Sequence, residues 1–267
     1  MKRLLSLVLA LALVLVTAPP TAMAASRMPN YFYPTALCAT CKVDADGVPM
    51  VEYGGVWEYN PVTIEQTALT LYAQQSAAKF TVLADWLVDN QTPDGLWLYT
   101  FPFRNQFVPW WSAMAEGQGI SVLVRGASWP GLDPVKQATY LAAAQSAEVA
   151  MTRDMDQHGV LNGDWLEEYQ PPANPEVLNG MIFAMAGLYD LDAYTGTTDL
   201  LWTASVASVA LHLPAYVGSG GCFYDRAGLV ESHDYDAVVN KELTWLYAVT
   251  GDVTFSTYAA RFARHCA

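Results

Sequence analysis

Positive charge is what this chain has least of. Its 267 residues carry 13 Lys+Arg against 26 Asp+Glu, a formal net charge of −13, with only 4 His. That balance excludes a basic face for nucleic acid, which binds by having lysine and arginine displace counterions, and argues against general attraction to polyanions. Cysteine is also scarce, at 4 residues. Cys38 and Cys41 form one CxxC with neither a second pair nor nearby histidines, which falls short of a zinc site, and no βαβ pattern surrounds it for thioredoxin-like redox chemistry. No apolar run beyond the first 20 or so residues is long enough for the ~20-residue helix that spans a bilayer.

The one long apolar run lies at the start, in "MKRLLSLVLALALVLVTAPPTAMAA". A basic Lys2-Arg3, an apolar stretch from Leu4 to Val16 and small residues around Ala22-Met23-Ala24 read as a cleaved secretory signal over residues 1–24. Its removal leaves 11 Lys+Arg against 26 Asp+Glu, a net of −15, on a protein expected to be secreted or periplasmic. In an exported chain four cysteines read as disulfides. Four cysteines allow three pairings; proximity favours Cys38–Cys41 and leaves Cys222–Cys266.

The rest of the chain repeats in outline. Segments 64–72, 116–127, 177–196 and 238–252 each start near Asn or Gln and continue as small/large apolar stripes at helical spacing. Their markers Gln66, Gln118, Asn179 and Asn240 are 52, 61 and 61 residues apart, a period that suits two helices plus connections. Between them, segments 76–91, 133–155, 197–216 and 254–266 have the amphipathic period of outer helices. The reading is all-α: an incomplete (α/α) toroid of about four helix pairs, with short hairpins on one rim at 95–103 and 221–231. Residues 25–56 form an N-terminal extension with the CxxC loop, and 57–267 the helical domain. In such arrays the loops of one face gather around a cleft, which singles out the loop–helix junctions holding Tyr59, Trp110 and Glu167-Glu168-Tyr169. With 9 Trp and 15 Tyr, the composition fits a cleft that stacks on flat ligands and fits an aromatic-rich core at least as well.

Four stretches carry a specific resemblance: "YNPVTIEQTALTLY" (59–72), "PWWSAMAEGQGISVLVRGA" (109–127), "EEYQPPANPEVLNGMIFAMAGLYDL" (167–191) and "LTWLYAVTGD" (243–252). In this order they resemble the C-terminal catalytic domain of the D-glucuronyl C5-epimerases. The resemblance implies inversion at carbon 5 of glucuronate units within a polysaccharide, with no metal or organic cofactor. It places an acid/base pair on Glu168 and Tyr235, assisting hydroxyls on Tyr169 and Tyr224, and a substrate contact on Asn179. The chain departs from the family pattern at Gln170, where a proline is expected, at Arg226 after Tyr224-Asp225, and at Asp236, where a histidine is expected.

The chemistry needs a base, an acid on the opposite face and a positive group for the substrate carboxylate. Arg104, Arg125, Arg226 and Lys241 are the available cations, and Arg226, two positions after Tyr224, is the expected clamp. The strong net negative charge favours a lightly sulfated or unsulfated glucuronate polymer. Three other readings stay open: a uronate lyase, a glycan-binding module without catalysis, and an inverting glycosidase. The last would pair Glu168 with Asp94 or Asp225 about 6.5–9.5 Å away.

Overall fold

The computed structural model describes residues 27–33, 35–171, 175–218, 221–229 and 233–266; the expected signal segment 1–24 lies outside the described residues. The chain is mostly helical. Its eight described α-helices are α1 (Pro61–Ala73), α2 (Ala77–Asn90), α3 (Ala113–Ala127), α4 (Pro134–Met151), α5 (Leu178–Thr195), α6 (Leu200–His212), α7 (His233–Thr250) and α8 (Val253–Phe262). Each odd-numbered helix packs on the even one that follows it, and α1, α3, α5 and α7 pack in that order on one another.

Local sequence sets these boundaries. Asn60 and Asp133 cap α1 and α4, each followed by a proline at the first helical position, and Ser112, Asp199 and Asp252 cap α3, α6 and α8. Each cap oxygen satisfies a backbone N–H that the helix itself leaves open, while proline there has no N–H to lose. Burial differs sharply between helices: α3 and all but the last turn of α5 are buried almost throughout, while α7 buries one stripe, Asp236, Val239, Glu242, Leu243 and Leu246. In α2 only Phe80, Leu83, Ala84 and Leu87 are buried, a single stripe at helical spacing, whereas every residue of α3 is buried. The small residues of α3 and α5 have a direct use: a Cβ on Gly117 or on Gly187 would run into the backbone of the other helix.

Among the described residues, three small sheets accompany the helices. β1 (Lys42–Val43), β2 (Pro49–Tyr53) and β3 (Val56–Glu58) form an antiparallel meander; β4 (Leu161–Asn162) pairs with β5 (Trp165–Leu166), and β6 (Val217–Gly218) with β7 (Gly221–Cys222). The expected hairpin at 95–103 is not a regular strand. It makes isolated bridges, Trp97 to Gln91 and Tyr99 to Trp110, because its large aromatics face the helices and its backbone partners come from loops. Both expected disulfides form, and Cys222–Cys266 ties β7 to the end of α8.

The segment before the sheets is built into the core. Tyr72 donates its hydroxyl to Met28 O at 2.7 Å, Arg125 Nε donates to Pro29 O at 3.1 Å, and Met28 N donates to Ser128 Oγ at 3.1 Å. Tyr31, Phe32 and Tyr33 pack on Phe183, and Phe32 stacks on Trp245 with ring centroids 4.5 Å apart. Residues 27–33 therefore connect α1, α3, α5 and α7 toward the C-terminal halves of the first two.

Candidate active site

The N-terminal ends of the same four helices face a different set of groups. Two adjoining cavities share Met114 of the first turn of α3. One, about 130 Å³, has aromatic walls from Tyr53, Phe101, Phe103, Trp110 and Tyr169, with Glu168 among its lining. The other, about 290 Å³, is lined by Tyr33, Thr35, Gln66, Asn179 and Tyr235. A larger groove of about 780 Å³ lies between α4 and the α5–α6 turn; it holds none of the aromatic wall or the tyrosine cluster, so size does not mark the site here.

The loop after β5 delivers Glu167, Glu168 and Tyr169, and its backbone is pinned. Ala113 N donates to Glu167 O at 2.9 Å, Gln170 N donates to Gln106 Oε1 at 2.9 Å, and Gln106 Nε2 donates back to Gln170 O at 3.2 Å. This explains Gln170 in place of the expected proline: proline has no N–H to give Gln106. The consecutive glutamates part ways. Glu167 accepts Asn162 Nδ2 at 2.9 Å and Glu176 N at 3.1 Å, so both its oxygens are spent on holding loops together. Glu168 points to the cavities instead.

Glu168 Oε1 accepts the Tyr224 hydroxyl at 3.4 Å, and that hydroxyl lies 3.5 Å from the hydroxyl of Tyr169. Tyr235, in the first turn of α7, meets the Tyr224 ring edge-on with centroids 5.0 Å apart and is 39% exposed. The other carboxylate oxygen of Glu168 lies against Gly180 in the first turn of α5, where a Cβ would overlap it. The glycine of the "VLNG" motif is thus the space that Glu168 occupies. A helix N-terminus also favours negative charge beside it. Trp110 stacks on Tyr99 at 3.8 Å and donates Nε1 to Phe101 O, which stiffens the aromatic wall.

The electrostatics follow from burial. Glu168 is only 8% exposed, and loss of hydration pushes its carboxyl up to about 7, against the pull of Tyr169, Arg104 and Tyr224. Burial and the Glu168 charge hold the Tyr169 hydroxyl well above the ordinary tyrosine range; burial, Glu168 and Tyr169 do the same for Tyr224. Near neutrality the site therefore contains a carboxyl poised to gain or lose a proton and two hydroxyls that keep theirs.

Of the residues expected from sequence, the structure brings Glu168, Tyr169, Tyr224 and Tyr235 together, places Trp110 in the cavity wall beside them and puts Asn179 in the adjoining cavity. Tyr59 lies apart. Its hydroxyl donates to Asp44 Oδ2 at 2.7 Å and its ring faces Trp86, while neighbouring Asn60 lines the aromatic cavity. Arg226 is paired with Glu176 at 2.7 Å. Asp236, in the place of the expected histidine, pairs with His265 beyond α8. Sequence reasoning gave no role to Met114, Gln106 or Gly180; the Gly180 signal was present in the "VLNG" stretch, the other two depend on tertiary contacts.

Residues 91–264 match the family described as the D-glucuronyl C5-epimerase C-terminus. The chain is 30% identical over 233 residues to a D-glucuronyl C5-epimerase of Caenorhabditis elegans, covering 75% of this chain and 37% of that protein. It is 26% identical over 175 residues to an uncharacterized protein of Methanocaldococcus jannaschii, covering 61% of this chain and 55% of the other. The chain thus spans less than two thirds of the length of these relatives. With the family model matching well over half of its residues, the chain belongs to the D-glucuronyl C5-epimerase C-terminal family.

Proposed function

We propose that the chain is an isomerase that inverts carbon 5 of D-glucuronate units within a polysaccharide, giving L-iduronate units. The observation that carries this reading is the contact of Glu168, its carboxyl raised to about 7, with the Tyr169–Tyr224–Tyr235 cluster. A general base works best when its pKa lies near the working pH. In the forward reaction the Glu168 carboxylate takes the C5 proton, and the C–H electron pair becomes the C5=C6 bond of an enediolate. Tyr235 then gives its hydroxyl proton to C5 from the opposite face and recovers one from solvent, while Glu168 releases its own. Tyr169 and Tyr224, held protonated, donate hydrogen bonds to the developing charge.

The scaffold we propose for this site is an incomplete α/α toroid with α1, α3, α5 and α7 on its inside. The substrate is a lightly sulfated or unsulfated glucuronate polymer, in keeping with the net charge, and the protein acts after export, in keeping with its two disulfides. The glycosidase reading finds less support. Asp225 accepts Leu229 N at 3.0 Å, and neither it nor Asp94 lines the two cavities.

The test is exchange at carbon 5 in deuterated water with an unsulfated glucuronate polymer. Deuterium entering C5 together with iduronate in the product is the expected result. An unsaturated uronate product would establish a lyase instead, and tight binding with no exchange would establish a binding module.

A further inference from the structure

The geometry points to Arg104 as the group that binds the substrate carboxylate, a role that rests on the uronate reading of the site. Its guanidinium carbon lies 5.0 Å from the Tyr169 ring centroid, 5.8 Å from that of Tyr224 and 5.5 Å from that of Phe103. It therefore roofs the cluster that holds Glu168. Of the other candidate cations, Arg125 is paired with Asp190 and Arg226 with Glu176, while Lys241 lies over the Tyr33 ring at 5.0 Å, at the wall of the second cavity, which neither Tyr169 nor Tyr224 lines. Among the described residues Arg104 makes no such ion pair. In a protein this acidic, an arginine set over the reactive side chains without a carboxylate of its own is complementary to an anion brought by the ligand.

The loop holds it there. Arg104 has φ +50°, a left-handed conformation that a bulky side chain adopts at some cost. The flanking contacts maintain it: Gln106 N donates to Phe103 O at 3.0 Å, the Gln106 side chain is locked to Gln170, and Tyr99 and Trp110 exchange both backbone hydrogen bonds. Desolvation opposes its charge, but Tyr169, Tyr224, Glu168 and Tyr235 together raise its pKa further. Stacking over rings uses the face of a guanidinium and leaves its N–H edge for a bidentate carboxylate. When the C5 proton leaves, both oxygens of that carboxylate gain charge as the enediolate forms, so a group that grips both at once acts on the transition state more than on the ground state. Arg226 is less suited, because Glu176 already occupies its guanidinium.

Two oligosaccharides separate this role from a packing role: a glucuronate-containing one and its carboxyl-reduced counterpart, in which the uronate is a neutral sugar. The parent protein is expected to bind the uronate form more tightly. Arg104→Gln is expected to weaken that binding at least ~10-fold, as loss of a charge-assisted pair does, while leaving affinity for the reduced form within about twofold. Arg104→Lys, which keeps the charge but loses the bidentate fork, is expected to fall between them and serves as the folded control. The inference is overturned if the parent binds both sugars equally, if Arg104→Gln keeps the preference, or if Arg226→Gln abolishes it while Arg104→Gln does not. Binding is read without turnover. Absence of C5 exchange in the parent would therefore defeat the epimerase reading while leaving the carboxylate site standing.

Discussion

The two ends of α1, α3, α5 and α7 use the same ingredients and finish them differently. At one end, Arg125 lies over the rings of Tyr31 and Tyr72, at 5.3 and 5.9 Å, and grips Asp190 at 2.5 and 3.3 Å while donating to Ser121 O and Pro29 O. At the other, Arg104 lies over Tyr169 and Tyr224 at similar distances, and the nearby hydrogen bonds are long, at 3.4 and 3.5 Å. An arginine, a buried acid and a pair of tyrosines make a structural pin where cation and acid are paired with each other. In the proposed active site the same set leaves the acid loosely held and the cation without an ion pair among the described residues. Residues 27–33 close the first end; the second opens to the two cavities.

Breaking the pin gives the largest effect. Arg125 is 2% exposed, and Arg125→Ala leaves Asp190 charged and buried without its partner. Loss of one member of a buried pair costs about 3–5 kcal/mol, and chemical denaturation is the measurement. A drop below about 1 kcal/mol would mean that the pin does not hold α3 and α5 together.

At the open end the same kind of change is expected to spare the fold and remove the chemistry. Glu168→Gln and Tyr235→Phe each remove a proton-transfer group and little volume, so C5 exchange falls at least ~100-fold with no loss of thermal stability. Near-normal exchange in either variant would take that residue out of the acid/base pair. Gly180→Ala probes the same carboxyl from behind. A methyl there displaces Glu168 from the first turn of α5, and about a 10-fold or greater loss of exchange is expected with the catalytic groups all present, as small misplacements of reacting groups cost this much or more. Full activity in Gly180→Ala would show that Glu168 works from another position.

The contrast also marks what could be read from the sequence. The eight helices were legible because periodicity and caps are local: Phe80, Leu83, Ala84 and Leu87 announce a one-sided helix, and Asn60-Pro61 announces its predecessor. The loop–helix junctions singled out Glu168 and Tyr169, but Tyr224 and Tyr235 were named only through the family motifs; no local pattern joins side chains 55 or more residues apart. Tertiary pairing defeated the rest. Arg226 lies two positions from Tyr224 but is turned to Glu176, whereas Arg104, distant in sequence from the tyrosines, is carried over them by the Gln106–Gln170 lock. The marker Asn240 keeps the 61-residue spacing yet lies two turns inside α7, where its Nδ2 donates to Ala259 O at 2.7 Å. Helix length slipped there while spacing did not. The stretch before Trp57 gave no periodic signal, so neither the β1–β3 meander nor the burial of Tyr31 could be inferred.

The smallest effect is on stability against pH, and its sign separates a reactive carboxyl from a structural one. The Glu168 carboxyl in the folded protein is raised to about 7, above the usual ~4.3 that it regains on unfolding. Between these values the folded state holds a proton that the unfolded state has released, so stability falls as pH rises through this window and levels off above it. Below the lower value both states are protonated and the favourable contribution is complete. The full shift corresponds to about 4 kcal/mol, but relaxation and water entry at a cavity wall reduce it, leaving roughly 1 kcal/mol. Glu168→Gln removes the titration: it is expected to match the parent near pH 4 and to exceed it by about that amount near pH 8. Glu167 is likewise raised to about 7, but its oxygens hold Asn162 and Glu176 N, and a glutamine there keeps only one acceptor. Glu167→Gln, which sets an NH2 group against one of those two N–H donors, should therefore be less stable than Glu168→Gln at both pH values. Melting curves of the three proteins at both pH values decide the point. A Glu168→Gln variant less stable than the parent at pH 8 would show that its carboxylate is a structural fastener like Glu167, and would place the reactive base elsewhere.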